Sequence, residues 1–96
     1  MVNKILFDAS VVLVLIQQEP GADRVFAKLA EAAINTVNLA EVVTKLTEAG
    51  MSEMTIQKML IPLNLTILPF TDLMAYEAGR LRPLTRALGL SLGDRA

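Results

Sequence analysis

The stretch that decides the fold is Ile5-Leu6-Phe7-Asp8-Ala9-Ser10, and an unbroken apolar run over residues 11–16 follows it. A short apolar segment that is closed by an acid is typical of a buried strand. We therefore predict a strand over residues 4–8 and a helix that Ser10 caps and that continues to about Gln18. The apolar run by itself fits either a buried helix or a buried strand.

The middle of the chain repeats this alternation of strand and helix. Residues 22–33 carry apolar side chains at helical spacing and predict a helix. A second strand is predicted over residues 34–37. Asn38 then caps a helix that reaches residue 49, and Gly50 is its stop signal.

The last part of the chain contains a third strand and a long helix. A helix over residues 53–61 leads to the strand, which is predicted over residues 65–68. The long helix is predicted over residues 73–88. Pro83 lies inside it and should kink or split it, because proline removes one intrahelical hydrogen bond.

Strands that alternate with helices predict an α/β fold, with a parallel sheet and right-handed crossovers. We expect three layers, with helices on both faces of the sheet, in a single domain over residues 1–96. Sites in such sheets form beyond the carboxyl ends of the strands. That edge is where functional residues are expected.

The composition excludes several classes of function. The chain has neither cysteine nor histidine, so disulfides, thiolate metal sites, cysteine nucleophiles, zinc chemistry and serine triads are not expected. Its net charge is −1, whereas most nucleic-acid binders have an excess of basic residues. No apolar run approaches the roughly 18 residues of a membrane span, and no signal peptide is evident, so we expect a cytoplasmic protein.

The candidate catalytic and metal-binding residues are Asp8, Glu41 and Asp94. Asp8 closes the first strand and Glu41 follows the second, so both lie on the predicted functional edge. Each acid has a local alternative: Asn38-x-x-Glu41 and Ser91-x-x-Asp94 both fit a capping box, and Asp8 fits a turn. Together, three acids from separate segments suit Mg²⁺ or Mn²⁺, which prefer oxygen ligands and promote hydrolysis of phosphodiesters.

Three segments together resemble the PIN domain, particularly the VapC-like toxins of prokaryotic toxin–antitoxin systems. The segments are residues 5–10, 38–42 and 89–96, and their order and spacing match those of the family. The resemblance covers the whole chain and implies a Mg²⁺- or Mn²⁺-dependent ribonuclease. Asp8, Glu41 and Asp94 occupy positions that match the family's first three active-site acids. The resemblance further implies that residues 11–16 are helical, that the protein forms a homodimer, and that an antitoxin protein covers the pocket.

The chain differs from the family after Asp94. Similar proteins continue through a helix and two further strands, supply a fourth acid there, and complete a sheet of order 3-2-1-4-5. We therefore expect the C-terminal strands to be absent and the strand at residues 4–8 to lie at an edge with unpaired backbone groups. Either the chain is a fragment of a longer protein, or it gains the missing pairing by swapping or edge-to-edge association with another chain. Nuclease activity should be impaired by the truncation.

The alternative function is a non-catalytic PIN-like module that binds another protein. A hydrophobic fraction of 53% and a mean hydropathy of +0.48 fit an apolar surface that is kept for a partner. Binding of Mn²⁺ that is lost on Asp8→Asn substitution favours the enzyme. Absence of such binding, together with a stable protein complex, favours the interaction module.

Overall fold

A computed structural model describes residues 5–86 of the chain, apart from the side chains of residues 77–79 and 82. Within these residues, four parallel strands form one sheet in the order β3-β2-β1-β4, and five α-helices pack around it. The strands are β1 (Ile5–Phe7), β2 (Ala32–Asn35), β3 (Thr66–Leu68) and β4 (Arg82–Leu84). The helices are α1 (Ala9–Ile16), α2 (Ala22–Phe26), α3 (Thr36–Glu48), α4 (Glu53–Leu60) and α5 (Asp72–Arg80), with short 3₁₀ helices at Leu29–Glu31 and Ile61–Leu63.

The strand order explains the three layers of the fold. From β1 the chain moves to β2 and β3 in one direction, and it then crosses back to β4 on the other side of β1. Right-handed crossovers place α1 to α4 on one face of the sheet and α5 on the other. The predicted three-layer α/β class is thus confirmed. The direction changes between β1 and β4, so the loop after β1 lies at a topological switch point, where sites form in such sheets.

The core lies between the central strands and the helices α1 and α3. Phe7 and Ile34, on β1 and β2, are completely buried, as are Val11, Val42 and Leu46 on the helices. The apolar run over residues 11–16 is helical, as the family resemblance implied. Helix α1 is apolar almost all round because its buried residues share one core with residues of β1 and β2, and because α2 and α3 lie against it.

The last strand corrects two expectations. Arg82, Pro83 and Leu84 pair with Ile5, Leu6 and Phe7, so β1 lies inside the sheet and a fourth strand is present. The long helix predicted over residues 73–88 ends at Arg80 instead. The physical reason is Pro83, which favours an extended conformation for the residue before it and is tolerated in an edge strand.

Several other boundaries also differ from the prediction. The helix predicted over residues 22–33 stops at Phe26, which is 64% exposed, and β2 begins at Ala32, two residues before its predicted start. Strand β2 therefore ends at Asn35, which replaces Asn38 as the N-cap of α3. Asp8, rather than Ser10, caps α1.

Helix α3 ends at Glu48, one residue before its predicted end, and the predicted stop residue Gly50 follows in the left-handed region with φ of 94°. Ser52 then caps α4, whose last residue is Leu60, one residue before the predicted end. In the part of the chain that the structure covers, no helix has both the length and the apolar character needed to cross a bilayer.

Candidate functional site

A cavity of about 210 Å³ opens where α1 and α3 begin, beyond the carboxyl ends of β1 and β2. Its lining combines acidic, amide, hydroxyl and basic side chains with the apolar Ala9 and Leu13. The polar members are Asp8, Ser10, Asn38, Glu41 and Lys45. The structure thus brings two of the three sequence-predicted acids to one cavity, on the edge of the sheet that the pattern of strands indicated.

Asp8 is half-buried and is held by one of its two carboxylate oxygens. Its Oδ1 accepts hydrogen bonds from the Val11 backbone N–H at 3.0 Å and from the Ser10 hydroxyl at 2.8 Å. The first of these is the N-cap interaction of α1. Within residues 5–86, Oδ2 accepts no hydrogen bond, so the cap fixes the carboxylate and leaves one oxygen for a ligand.

Glu41 lies in the second turn of α3 and is exposed. Because α3 begins at Thr36, Glu41 is too far from the start of the helix to be the acid of a capping box. Among the described residues its carboxylate has neither a hydrogen bond nor an ion pair. The local alternative that the sequence offered for this residue is therefore wrong.

Asn35 and Asn38 join the two helix starts that frame the cavity. The buried Asn35 Oδ1 accepts the backbone N–H of Asn38 at 2.8 Å and its side-chain Nδ2 at 3.3 Å. The Oδ1 of Asn38 accepts the backbone N–H of Ala9 at 3.2 Å. Sequence reasoning assigned Asn38 to a helix cap and missed this contact, because the register of β2 decides which asparagine caps the helix.

Lys45 places a positive charge in the lining of the same cavity. It lies one turn after Glu41, at a spacing where opposite charges commonly interact. No ion pair forms between the two in the described structure. The sequence signal for Lys45 was its i, i+4 relation to Glu41, which became informative only once Glu41 was known to face the cavity.

Ser10 and Thr36 each use the hydroxyl group within the protein. Ser10 donates to Asp8, and Thr36 Oγ1 accepts the backbone N–H of Phe70 at 3.1 Å. The second contact links the start of α3 to the segment after β3. Both hydroxyls therefore help to build the edge on which the cavity lies.

The donor set suits a hard divalent cation in part. Asp8 and Glu41 offer carboxylate oxygens, and Mg²⁺ is commonly bound through one or two carboxylates with water and substrate phosphate completing its shell. Asp94, the third predicted ligand, lies outside the described residues. Among the residues that are described, no group of three potential metal-binding side chains converges.

A second cavity, of about 290 Å³, lies beside β3 and differs in character. Ile34, Leu39, Leu60, Ile61 and Ile67 supply apolar walls, and its polar members are the uncharged Gln57 and Asn64. A lining without charged side chains does not suit metal-ion chemistry. It suits an apolar ligand or side chain.

Comparison of the chain with protein-family models and with curated proteins found no match. Among solved structures, the crystal structure of PAE2754 from Pyrobaculum aerophilum is similar, with a TM-score of 0.60. The similarity covers 97% of this chain and 87% of that chain, at 16% sequence identity. At that identity the likeness concerns the fold alone.

Proposed function

We propose that this protein is a Mg²⁺- or Mn²⁺-dependent endoribonuclease of the PIN type, with the cavity between α1 and α3 as its active site. The observation that carries the proposal is the position of Asp8 and Glu41. Both line one cavity at the switch point of a parallel sheet, and both have carboxylate oxygens that bind nothing else within the described residues. Asp94 is proposed as a third ligand.

The protein side chains have separate tasks in this proposal. Asp8 and Glu41 hold the metal ion, and Ser10 orients Asp8 by donating a hydrogen bond to its other oxygen. When bound, Mg²⁺ or Mn²⁺ supplies charge neutralisation at the phosphodiester and promotes attack by water. Without a cation, two carboxylates facing the cavity would repel the phosphate groups of RNA.

The experiment that tests the proposed function is cleavage of a mixed-sequence, single-stranded RNA. Cleavage is expected with Mn²⁺ or Mg²⁺ and is expected to stop when EDTA removes the metal. Cleavage that continues unchanged in EDTA would refute metal dependence. The absence of cleavage under every metal condition would refute nuclease activity for this chain.

Lys45 is proposed to attract the phosphate backbone of the substrate. Lys45→Gln should raise KM for RNA roughly fivefold and leave kcat nearly unchanged, because an exposed charge contributes modestly to binding. The increase should shrink as salt is added, since salt screens exposed charges. Steady-state cleavage of a short fluorescent RNA at two salt concentrations measures both effects.

The matched control for Lys45→Gln is Lys58→Gln, on the exposed surface of α4 and outside the lining of the cavity. It removes the same charge and should leave KM unchanged. Equal increases in KM for the two variants would show that only the net charge of the protein matters. Affinity for Mn²⁺ should not fall in Lys45→Gln, because the substitution removes a cation from the cavity.

A second candidate function is a protein-interaction module, which the surface of the described chain favours. Many large apolar side chains are more than half exposed. They are Phe26, Val37, Met54, Ile61, Ile67, Phe70, Leu73 and Tyr76. Lack of Mn²⁺ binding together with a stable complex with another protein in sedimentation would favour this function over the nuclease. A homodimer and an antitoxin partner remain proposals under both functions.

A further inference from the structure

The first turns of α1 and α3 are connected by a chain of hydrogen bonds that passes through the side chain of Asn38. The Ala9 backbone N–H donates to Asn38 Oδ1 at 3.2 Å, and Asn38 Nδ2 donates to Asn35 Oδ1 at 3.3 Å. Both ends of the amide are engaged, so its orientation is fixed. Asn35 is 5% exposed and is the last residue of β2, which anchors this chain of bonds to the sheet.

The contact with Ala9 satisfies a backbone group that α1 cannot satisfy by itself. The first N–H groups of a helix have no intrahelical acceptor. Asp8 accepts the N–H of Val11, whereas the N–H of Ala9 is accepted by a side chain 29 residues later in the sequence. The start of α1 is therefore held by a second helix in addition to its own cap.

We propose that Asn38 is a positioning residue, which sets the separation of Asp8 and Glu41. Asp8 immediately precedes Ala9, and Glu41 lies three residues after Asn38, on the same side of α3. A shift of one helix start against the other would change the distance between the two carboxylates. The role as a metal-site positioner rests on the proposed function, whereas the contact between the helices does not.

The test is the substitution Asn38→Leu, which keeps a branched side chain and removes both amide hydrogen bonds. Affinity for Mn²⁺, measured by calorimetry, should fall about tenfold or more, the usual effect of removing a group that orients metal ligands. Exchange of the Ala9 amide hydrogen, followed by NMR, should accelerate. The Val11 amide, which Asp8 holds, serves as an internal reference and should keep its protection.

The matched control is Ser52→Ala, which removes the hydrogen bond from the Thr55 N–H to the N-cap of α4, away from the cavity. It costs stability through the loss of a helix cap and should leave Mn²⁺ affinity unchanged. If Asn38→Leu does not fold, Asn38→Ser is the second variant. Its shorter side chain should not span the gap to Ala9, and the same two changes are expected.

The outcomes separate this inference from the proposed function. Wild-type affinity for Mn²⁺ in a folded Asn38 variant overturns the positioning role, and so does an equal loss of affinity in Ser52→Ala. If the wild-type protein binds no Mn²⁺, the proposed metal site is wrong, and with it the role of Asn38 in positioning metal ligands. Amide exchange then tests only whether Asn38 connects the two helices. Faster exchange confined to Ala9 supports the contact between the helices, whereas unchanged exchange overturns it.

Discussion

Replacing Asp8 by asparagine should reduce metal-dependent RNA cleavage at least about 100-fold. Loss of a group that merely orients a ligand costs about 10- to 100-fold, so loss of a charged ligand should cost more. The fold should persist, because asparagine is as good an N-cap as aspartate and its Oδ1 can accept the same bonds from Val11 and Ser10. Initial cleavage rates at saturating Mn²⁺ measure the first effect, and thermal unfolding measures the second.

Asp23→Asn is the control for this substitution. Asp23 is an exposed acid in the first turn of α2, outside the lining of the cavity, and its loss changes the net charge by the same amount. Its cleavage rate should equal that of the wild type. If the rate of Asp8→Asn also equals the wild-type rate, the catalytic role proposed for Asp8 is wrong.

Replacing Phe7 by alanine should remove a large part of the stability of the domain. Phe7 is completely buried on β1, which lies between β2 and β4, and such substitutions cost about 3–5 kcal/mol. The free energy of unfolding of native proteins is only about 5–15 kcal/mol, so a substantial unfolded fraction is expected on warming. Urea titration and the Tm, which should fall by roughly 12–40 °C, measure the loss.

Phe26→Ala is the matched control, since the same side chain is removed from a position that is 64% exposed. A surface substitution of this kind should change the free energy of unfolding by about 0.5 kcal/mol or less. Equal losses for the two variants would contradict the position of β1 inside the sheet. A mild effect at Phe7 would contradict it as well.

The pattern of the sequence was sufficient to predict the fold class and the edge of the sheet on which Asp8 and Glu41 lie. The strand that ends just before Asp8 and the helix that ends before Gly50 carry strong local signals, namely a short apolar run and a helix stop. These elements depend little on distant parts of the chain. Their prediction therefore needed no tertiary information.

The register of β2 and the existence of β4 depend on tertiary structure. Pairing with β1 decides that Asn35, and not Asn38, caps α3, and either asparagine satisfies the local preference for a cap. Residues 82–84 form a strand because β1 offers an edge beside them. Isolated from that edge, a segment that contains Pro83 reads as an interrupted helix.

The candidate site was predicted only in part, because some of its residues also depend on tertiary structure. Asp8 was placed by local pattern, because it closes a strand. Glu41 was predicted as a metal ligand on that edge, with a capping box as its local alternative, and the start of α3 at Thr36 removes that alternative. The roles of Asn38 and Lys45 depend on contacts between α1 and α3, which single-sequence spacing does not specify. Asp94 remains a prediction, because it lies outside the described residues.

The most direct test of the proposed active site is a calorimetric Mn²⁺ titration of the wild-type protein, Asp8→Asn and Glu41→Gln, with Asp23→Asn as the control. The proposal predicts that the wild type and the control bind Mn²⁺ with a millimolar or tighter Kd. It also predicts that both cavity variants bind at least about tenfold more weakly. Absence of binding to the wild type, or equal affinity in Asp8→Asn, would contradict it.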